Sequence, residues 1–213
     1  MAVKTLEDLF VHALSDVYSA EKQLTKALPK MARAATNPAL AAAFTLHLEE
    51  TQGQIERIDR AVEATGIKLK RIKCAAMEGL VEEGQEMIEE VEKGPVLDAG
   101  LIGAAQKVEH YEIATYGTLC ALAKQLGYTE AMQLLRETLE EEKSTDEKLT
   151  LLAESGGNAA AADAKPQDDT PAPARRAPAK SPAGKTAKGG SDSAPAKPAA
   201  PAARKAPARK TAG

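Results

Sequence analysis

Seven side chains able to hold a divalent cation recur at helical spacing: Glu21, His47, Glu50, Glu109, Glu112, Glu142 and Asp146. Carboxylate oxygen and imidazole nitrogen are the donors that iron and manganese sites use. Glu21 falls where an apolar residue is due, seven positions after Leu14 and four after Val17. His47, Glu50 and Gln54 follow one another at i, i+3 and i+7, Glu109 and Glu112 are three apart, and Glu142 and Asp146 are four apart. On a helix each of these sets projects from one side. Ionised carboxylates gathered in an interior cost several kcal/mol apiece even after relaxation. Six of them with no Lys or Arg in the set need protons or cations, and two divalent ions, iron or manganese, are the simplest answer. Each glutamate also has a plainer reading as part of a solvated outer face, which suits runs such as Glu140-Glu141-Glu142 and Glu89-Glu90. His12 lies off the apolar stripe and is expected at the surface; His110 lies off the Glu109/Glu112 face and is expected to be structural. Tyr18 and Tyr116, three or four positions from candidate ligands, could hydrogen-bond to them or simply fill the core.

The elements that must position these residues are helical, because β-branched alternation is nearly absent. Thr5 and Asp8 form the pattern of a capping box, and a stripe of Leu6, Phe10, Leu14, Val17, Leu24 and Leu28 follows. Met31 continues that stripe beyond Pro29, so the proline is expected to kink the helix without ending it. Asn37-Pro38 supplies a stop and a restart, with Asn37 as N-cap. The second helix shows Leu40, Phe44, His47, Thr51, Gln54, Ile58 and Ala61 on one face and ends at Gly66. A basic connector, Lys68 to Lys73, leads into a helix of about twenty residues that Gly94-Pro95 breaks. Two further helices are joined at Gly127, and the last is expected to stop at Gly156-Gly157.

Connection lengths then set the topology. Very short links near residues 37 and 127 make each flanking pair an antiparallel hairpin. The long stretch between the pairs carries its own helix, enough to travel the length of a bundle at about 1.5 Å per residue. That is the ferritin-like four-helix arrangement with a long crossover. Folding each hairpin about its turn brings Glu21 level with Glu50 and Gln54, and Glu109 and Glu112 level with Asp146 and Glu142. With the two turns at opposite ends, both sets meet at mid-height.

The stretches LSDVYSAEKQLTKAL (Leu14 to Leu28), HLEETQGQIER (His47 to Arg57), CAAMEGLVEE (Cys74 to Glu83), QKVEHYEIATYGTL (Gln106 to Leu119) and TLEEEKSTDEKL (Thr138 to Leu149) resemble the bacterial YciF/YciE-type stress proteins, a ferritin-like group related in fold to rubrerythrins. The resemblance spans nearly all of residues 4–154. It implies a four-helix bundle with a connecting helix, a di-metal site, stress-linked expression and a homodimer. Carried over residue by residue, the ligands it implies are the same seven. This chain departs from the usual ferritin-like pattern, in which Glu-x-x-His occurs on two helices: here the second helix reads His47-x-x-Glu50 and the last has no histidine.

Composition changes sharply near Gly156. Nine of the twelve prolines lie beyond it, and no Phe, Tyr, Leu, Ile, Val or Met follows Ala153. Such a segment cannot offset the entropy of ordering its backbone. Residues 1–155 are therefore expected to form the bundle and residues 156–213 a disordered basic tail. The tail carries 11 Lys/Arg against 4 Asp/Glu, a net +7, which leaves 17 basic and 27 acidic residues, or −10, in the body. The repeated units Ala172-Pro173-Ala174-Arg175, Ala177-Pro178-Ala179-Lys180, Ala194-Pro195-Ala196-Lys197 and Ala206-Pro207-Ala208-Arg209 resemble linker-histone arms. They suit non-specific contact with nucleic-acid phosphates, and a solubilising arm with no partner is the alternative. Cys74 and Cys120 match no disulfide scaffold or zinc motif. No secretory leader or membrane span is evident, so the expected location is cytoplasmic, with nucleoid association if the tail binds DNA. Three functions remain open: an oxidoreductase whose di-iron or di-manganese centre meets oxygen or peroxide, a DNA-associated stress protein, and a structural bundle whose metal only neutralises charge.

Overall fold

A computed structural model describes residues 3–165, all of them helix, turn or connector, with no β-strand among the described residues. Helix α1 spans Leu6–Ala34 and opens on the Thr5/Asp8 capping box, with Asp8 accepting from the Thr5 amide and its own amide donating to the Thr5 hydroxyl. Pro29 lies within α1 without ending it. Helix α2, Pro38–Thr65, starts on the Asn37 side chain, which accepts from the amides of Ala39 and Leu40, and ends where Gly66 takes the left-handed conformation at φ 70°. Helix α3, Ala75–Glu90, forms the crossover; it is sixteen residues long, shorter than the sequence pattern suggested. Helix α4, Pro95–Leu126, and helix α5, Thr129–Leu152, are joined through Gly127 at φ 76°.

The four long helices close into a ring, α1 against α2, α2 against α5, α5 against α4, and α4 against α1, while α3 lies along α1 and α4. Two large clusters make up most of the apolar core. One cluster holds Leu24, Leu28, Leu40, Phe44, Leu101, Ala105 and Leu149; the other holds Phe10, Leu14, Ile58, Tyr116, Leu119 and Leu135. The C-terminal half of α1 and the N-terminal half of α2 share the first cluster, whereas the C-terminal half of α4 and the N-terminal half of α5 share the second. The two hairpin turns therefore sit at opposite ends of the bundle, as the long crossover requires.

Buried Asp98, in the first turn of α4, fastens the α1–α2 turn. Its carboxylate accepts from the amide of Thr36 at 2.7 Å, the amide of Asn37 at 2.9 Å and the Thr36 hydroxyl. The crossover is held to α1 by Ser15 and Ser19, whose hydroxyls accept from the amides of Lys70 and Cys74 at 2.9 and 3.0 Å.

Helical structure does not stop at residue 155. After α5 the chain makes a π-helical turn, Ala153–Gly157, and a short helix α6, Asn158–Asp163, that packs on α4. The Gly156-Gly157 pair acts here as a bend. Gly156 sits at φ 129°, and a Cβ on Gly157 would lie 2.7 Å from the Leu152 carbonyl oxygen. The expected basic tail and its phosphate contacts lie, apart from residues 156–165, outside the described residues. Among the described residues no helix is long and apolar enough to cross a membrane.

Candidate metal centre

Between the two apolar clusters lies a layer of polar side chains drawn from all four long helices. His47 and Gln54 come from α2, Glu21 from α1, Glu109 and Glu112 from α4, and Glu142 from α5, each no more than 3% exposed. Their local sequence explains this placement: Val17 and Leu24 flank Glu21, Phe44 and Ile58 flank the α2 pair, and Val108 and Tyr116 flank Glu109 and Glu112 on the same buried faces. Burying those flanks forces the polar residues between them inward too.

One donor atom from each of His47, Glu109, Glu112 and Glu142 lies within 4.8 Å of the others. His47 Nε2 stands 3.4 Å from a Glu109 oxygen. Glu21 completes the group on the other side: it lies against Glu112 and feels the charge of Glu142, while one of its oxygens accepts the Tyr116 hydroxyl. His47 and Glu109 line a cleft with Phe44 and Leu149, whereas Glu21 is bonded to Tyr116, which packs with Phe10 and Leu119.

Burial, reinforced by the charge of neighbouring carboxylates, pushes Glu21, Glu109 and Glu112 well above the usual carboxylate range. Burial also raises Glu142, against the opposing pull of His47. The Tyr116 phenol is raised by burial and then by Glu21. Among the described residues, nine buried side-chain atoms have no hydrogen-bond partner: Glu21 Oε2, both His47 nitrogens, Gln54 Oε1, Glu109 Oε2, and both oxygens of Glu112 and of Glu142. Buried polar atoms are nearly always paired. An acceptor-rich, donor-poor cluster of this kind fits cations: four buried carboxylates carry −4 when ionised, which two divalent ions balance.

The remaining two candidates lie at the rim. Glu50 is 23% exposed, 3.5 Å from His47 Nδ1 and 3.6 Å from Lys148 Nζ, and the His47 contact holds it below the usual carboxylate range. Asp146 is equally exposed, 3.4 Å from His110 Nε2, and accepts from Gln106. His110 is 69% exposed and His12 is also at the surface. Tyr18 is half-buried, with Lys22 over its ring. Tyr116, by contrast, both fills the core and holds Glu21.

No motif in the sequence marks Arg57 for a role. Its guanidinium grips Glu141 with two hydrogen bonds of 2.9 and 2.7 Å, donates to the Thr138 hydroxyl at 2.7 Å, and approaches Glu137. Arg57 and Glu141 neutralise one another beside the layer, so the buried carboxylates keep their own charge uncompensated. A small cleft between α2 and α5, lined by Phe44, Leu46, Thr145 and Leu149, opens from the Glu50–Lys148 rim onto His47 and Glu109.

Comparison with known proteins agrees with this architecture. The chain is 66% identical over 154 residues to protein YciF of Escherichia coli strain K12, covering 72% of this chain and 93% of that one. The crystal structure of the E. coli stress protein YciF superposes with a TM-score of 0.71 at 64% identity, over 73% of this chain and 98% of its own. YcfI, described as a putative structural protein from Rhodopseudomonas palustris, matches at 48% identity and TM-score 0.67 over 70% and 94% of the two chains. A protein from Xanthomonas campestris pv. campestris matches at 26% identity and TM-score 0.59, over 73% and 95%. A family model also matches residues 5–162, from the α1 capping box to the end of α6, and the chain accordingly belongs to the family described as Domain of unknown function (DUF892).

Proposed function

We propose that this homologue of YciF is a stress protein that binds two divalent ions, iron or manganese, in the polar layer, and that the loaded centre handles oxygen or peroxide. The observation that carries the reading is the set of nine buried, unpartnered donor atoms supplied by all four long helices. A redox-active metal pair there would supply electrons to a small oxidant. The residues set the terms. His47, Glu109, Glu112, Glu142 and Glu21 would hold the ions; Tyr116 orients Glu21; Arg57 holds Glu141 beside the layer. The α2–α5 cleft admits only a small solute, and its Phe44, Leu46 and Leu149 walls limit water at the mouth. Glu50 and Lys148 place one charge of each sign at that mouth.

Elemental analysis of protein purified after growth with iron and manganese tests the first half of the reading, and peroxide consumption by the loaded protein tests the second. Two ions per chain with turnover is the expected result. Two ions without turnover would leave a metal that serves only to neutralise buried charge, and absence of metal at neutral pH would refute the reading outright.

A further inference from the structure

Gln54 is fully buried, and its carbonyl oxygen is the one amide oxygen among the nine unpartnered atoms. The orientation of its amide is fixed by charge. The nitrogen donates to Glu141 Oε2 at 3.2 Å, and that carboxylate, already gripped by Arg57, can only accept. Glu141 is 32% exposed and so marks the outer side of the layer. With its NH2 group turned outward, Gln54 directs its carbonyl inward. On α2 it stands two turns beyond His47 and one turn before Ile58, toward the cluster that contains Tyr116. Tyr116 of that cluster donates to Glu21, whose other oxygen is also unpartnered.

We propose that Gln54 is a metal ligand: its amide oxygen, with Glu21, completes the second cation position, while His47 and Glu109 belong to the first and Glu112 and Glu142 are shared. The proposal rests on the two-ion reading above. It makes the two positions chemically unequal. The first offers an imidazole nitrogen, whereas the second offers only oxygen and therefore favours a harder ion such as manganese or magnesium. Arg57 and Glu141 act as positioning residues that hold the amide in its working orientation. A carboxylate here would have added a fifth buried negative charge for two ions to balance; the amide gives the same donor atom without it.

Equilibrium dialysis of the chelator-stripped full chain against manganese, with elemental analysis of the protein, tests the assignment. Wild-type protein should take two ions. Gln54→Leu and Gln54→Met, which lack a hard donor, should keep one ion and bind the other at least about tenfold more weakly, whereas Gln54→Glu should again take two. Two ions bound by folded Gln54→Met with wild-type affinity would overturn the proposal and leave Gln54 as an acceptor for a protonated glutamate. Melting of each variant without metal confirms folding, and the second substitution covers the case in which the first does not fold. A wild-type chain that takes up no manganese, iron or zinc would instead bring down the two-ion reading itself, and this assignment with it.

Discussion

Glu112→Gln should have opposite effects on stability with and without metal. Glu112 is fully buried, both its oxygens lack partners, and burial together with Glu21, Glu142 and Glu109 raises its pKa well above the ordinary 4.5. In metal-free protein a carboxyl with a raised pKa binds its proton more tightly folded than unfolded. Above pH 4.5 the unfolded chain releases that proton and the folded chain keeps it, so stability is lost as pH rises until the folded value is passed. Each pH unit in that window is worth about 1.4 kcal/mol, which at pH 7.5 sets a ceiling of about 4 kcal/mol for this one group. Glutamine has nearly the same shape and no proton to lose, so the substitution removes the penalty. Metal-free Glu112→Gln is therefore expected to melt above wild type at pH 7.5, by at least about 3 °C for a domain of this size, and to lose that advantage near pH 4.5.

Metal should reverse the order. An ion at one hundred times its dissociation constant stabilises a fold by about 2.7 kcal/mol per site, and under the proposed two-ion reading Glu112→Gln would lack a ligand. Thermal melts in chelator and in manganese, at pH 5 and pH 7.5, give the four comparisons. Glu50 and Asp8, whose pKa values are depressed, act below 4.5 and do not enter this window. A variant less stable than wild type in chelator at pH 7.5, or a gap that does not change between the two pH values, would show that the layer is compensated from within and has no need of cations.

Away from the layer, Asp98→Ala should lower stability by about 2–4 kcal/mol, because the two amides and one hydroxyl of the α1–α2 turn lose a buried charged acceptor. Metal stoichiometry should be unchanged, and a melt paired with metal analysis checks both. For the tail we propose binding to nucleic-acid phosphates, on the strength of its +7 net charge and Ala-Pro-Ala-Lys/Arg units. The full chain should then retard duplex DNA at low salt, lose that ability steeply as salt rises, and differ from a chain ending at Lys165; equal DNA mobility with both would dismiss the tail as a binding arm.

The four-helix fold was legible because its cues are local. Asn37-Pro38 and Gly127 mark tight turns, and the 3.6-residue stripes name the buried faces between them. The level of Glu21 against α2, and of Glu109 and Glu112 against Glu142, could be counted because each pair of helices shares a hairpin turn, which fixes its register. The α2–α5 seam has no such turn. Nothing local states whether Glu50 or Glu141 faces inward there, or that Arg57 meets Glu141, so rim and centre could not be told apart from spacing alone. Gly156-Gly157 misled for a similar reason: the pair reads as a stop, but the surface of α4 gives the next six residues something to pack on.

Six polar side chains in the heart of a small bundle are difficult to account for as an aid to folding. Val17, Phe44, Val108 and Leu149 surround the layer with material for one continuous apolar core, yet Glu21, His47, Glu109, Glu112 and Glu142 stand between its two large clusters. Apolar residues of similar volume in place of buried charges are often neutral or stabilising by about 1–4 kcal/mol. A bundle kept only for stability would gain by filling these positions with leucine. Tyr116 and the Arg57–Glu141 pair add to the contrast, since both serve to aim polar atoms inward or hold competing charge aside. Side chains so arranged make physical sense when something positively charged sits among them.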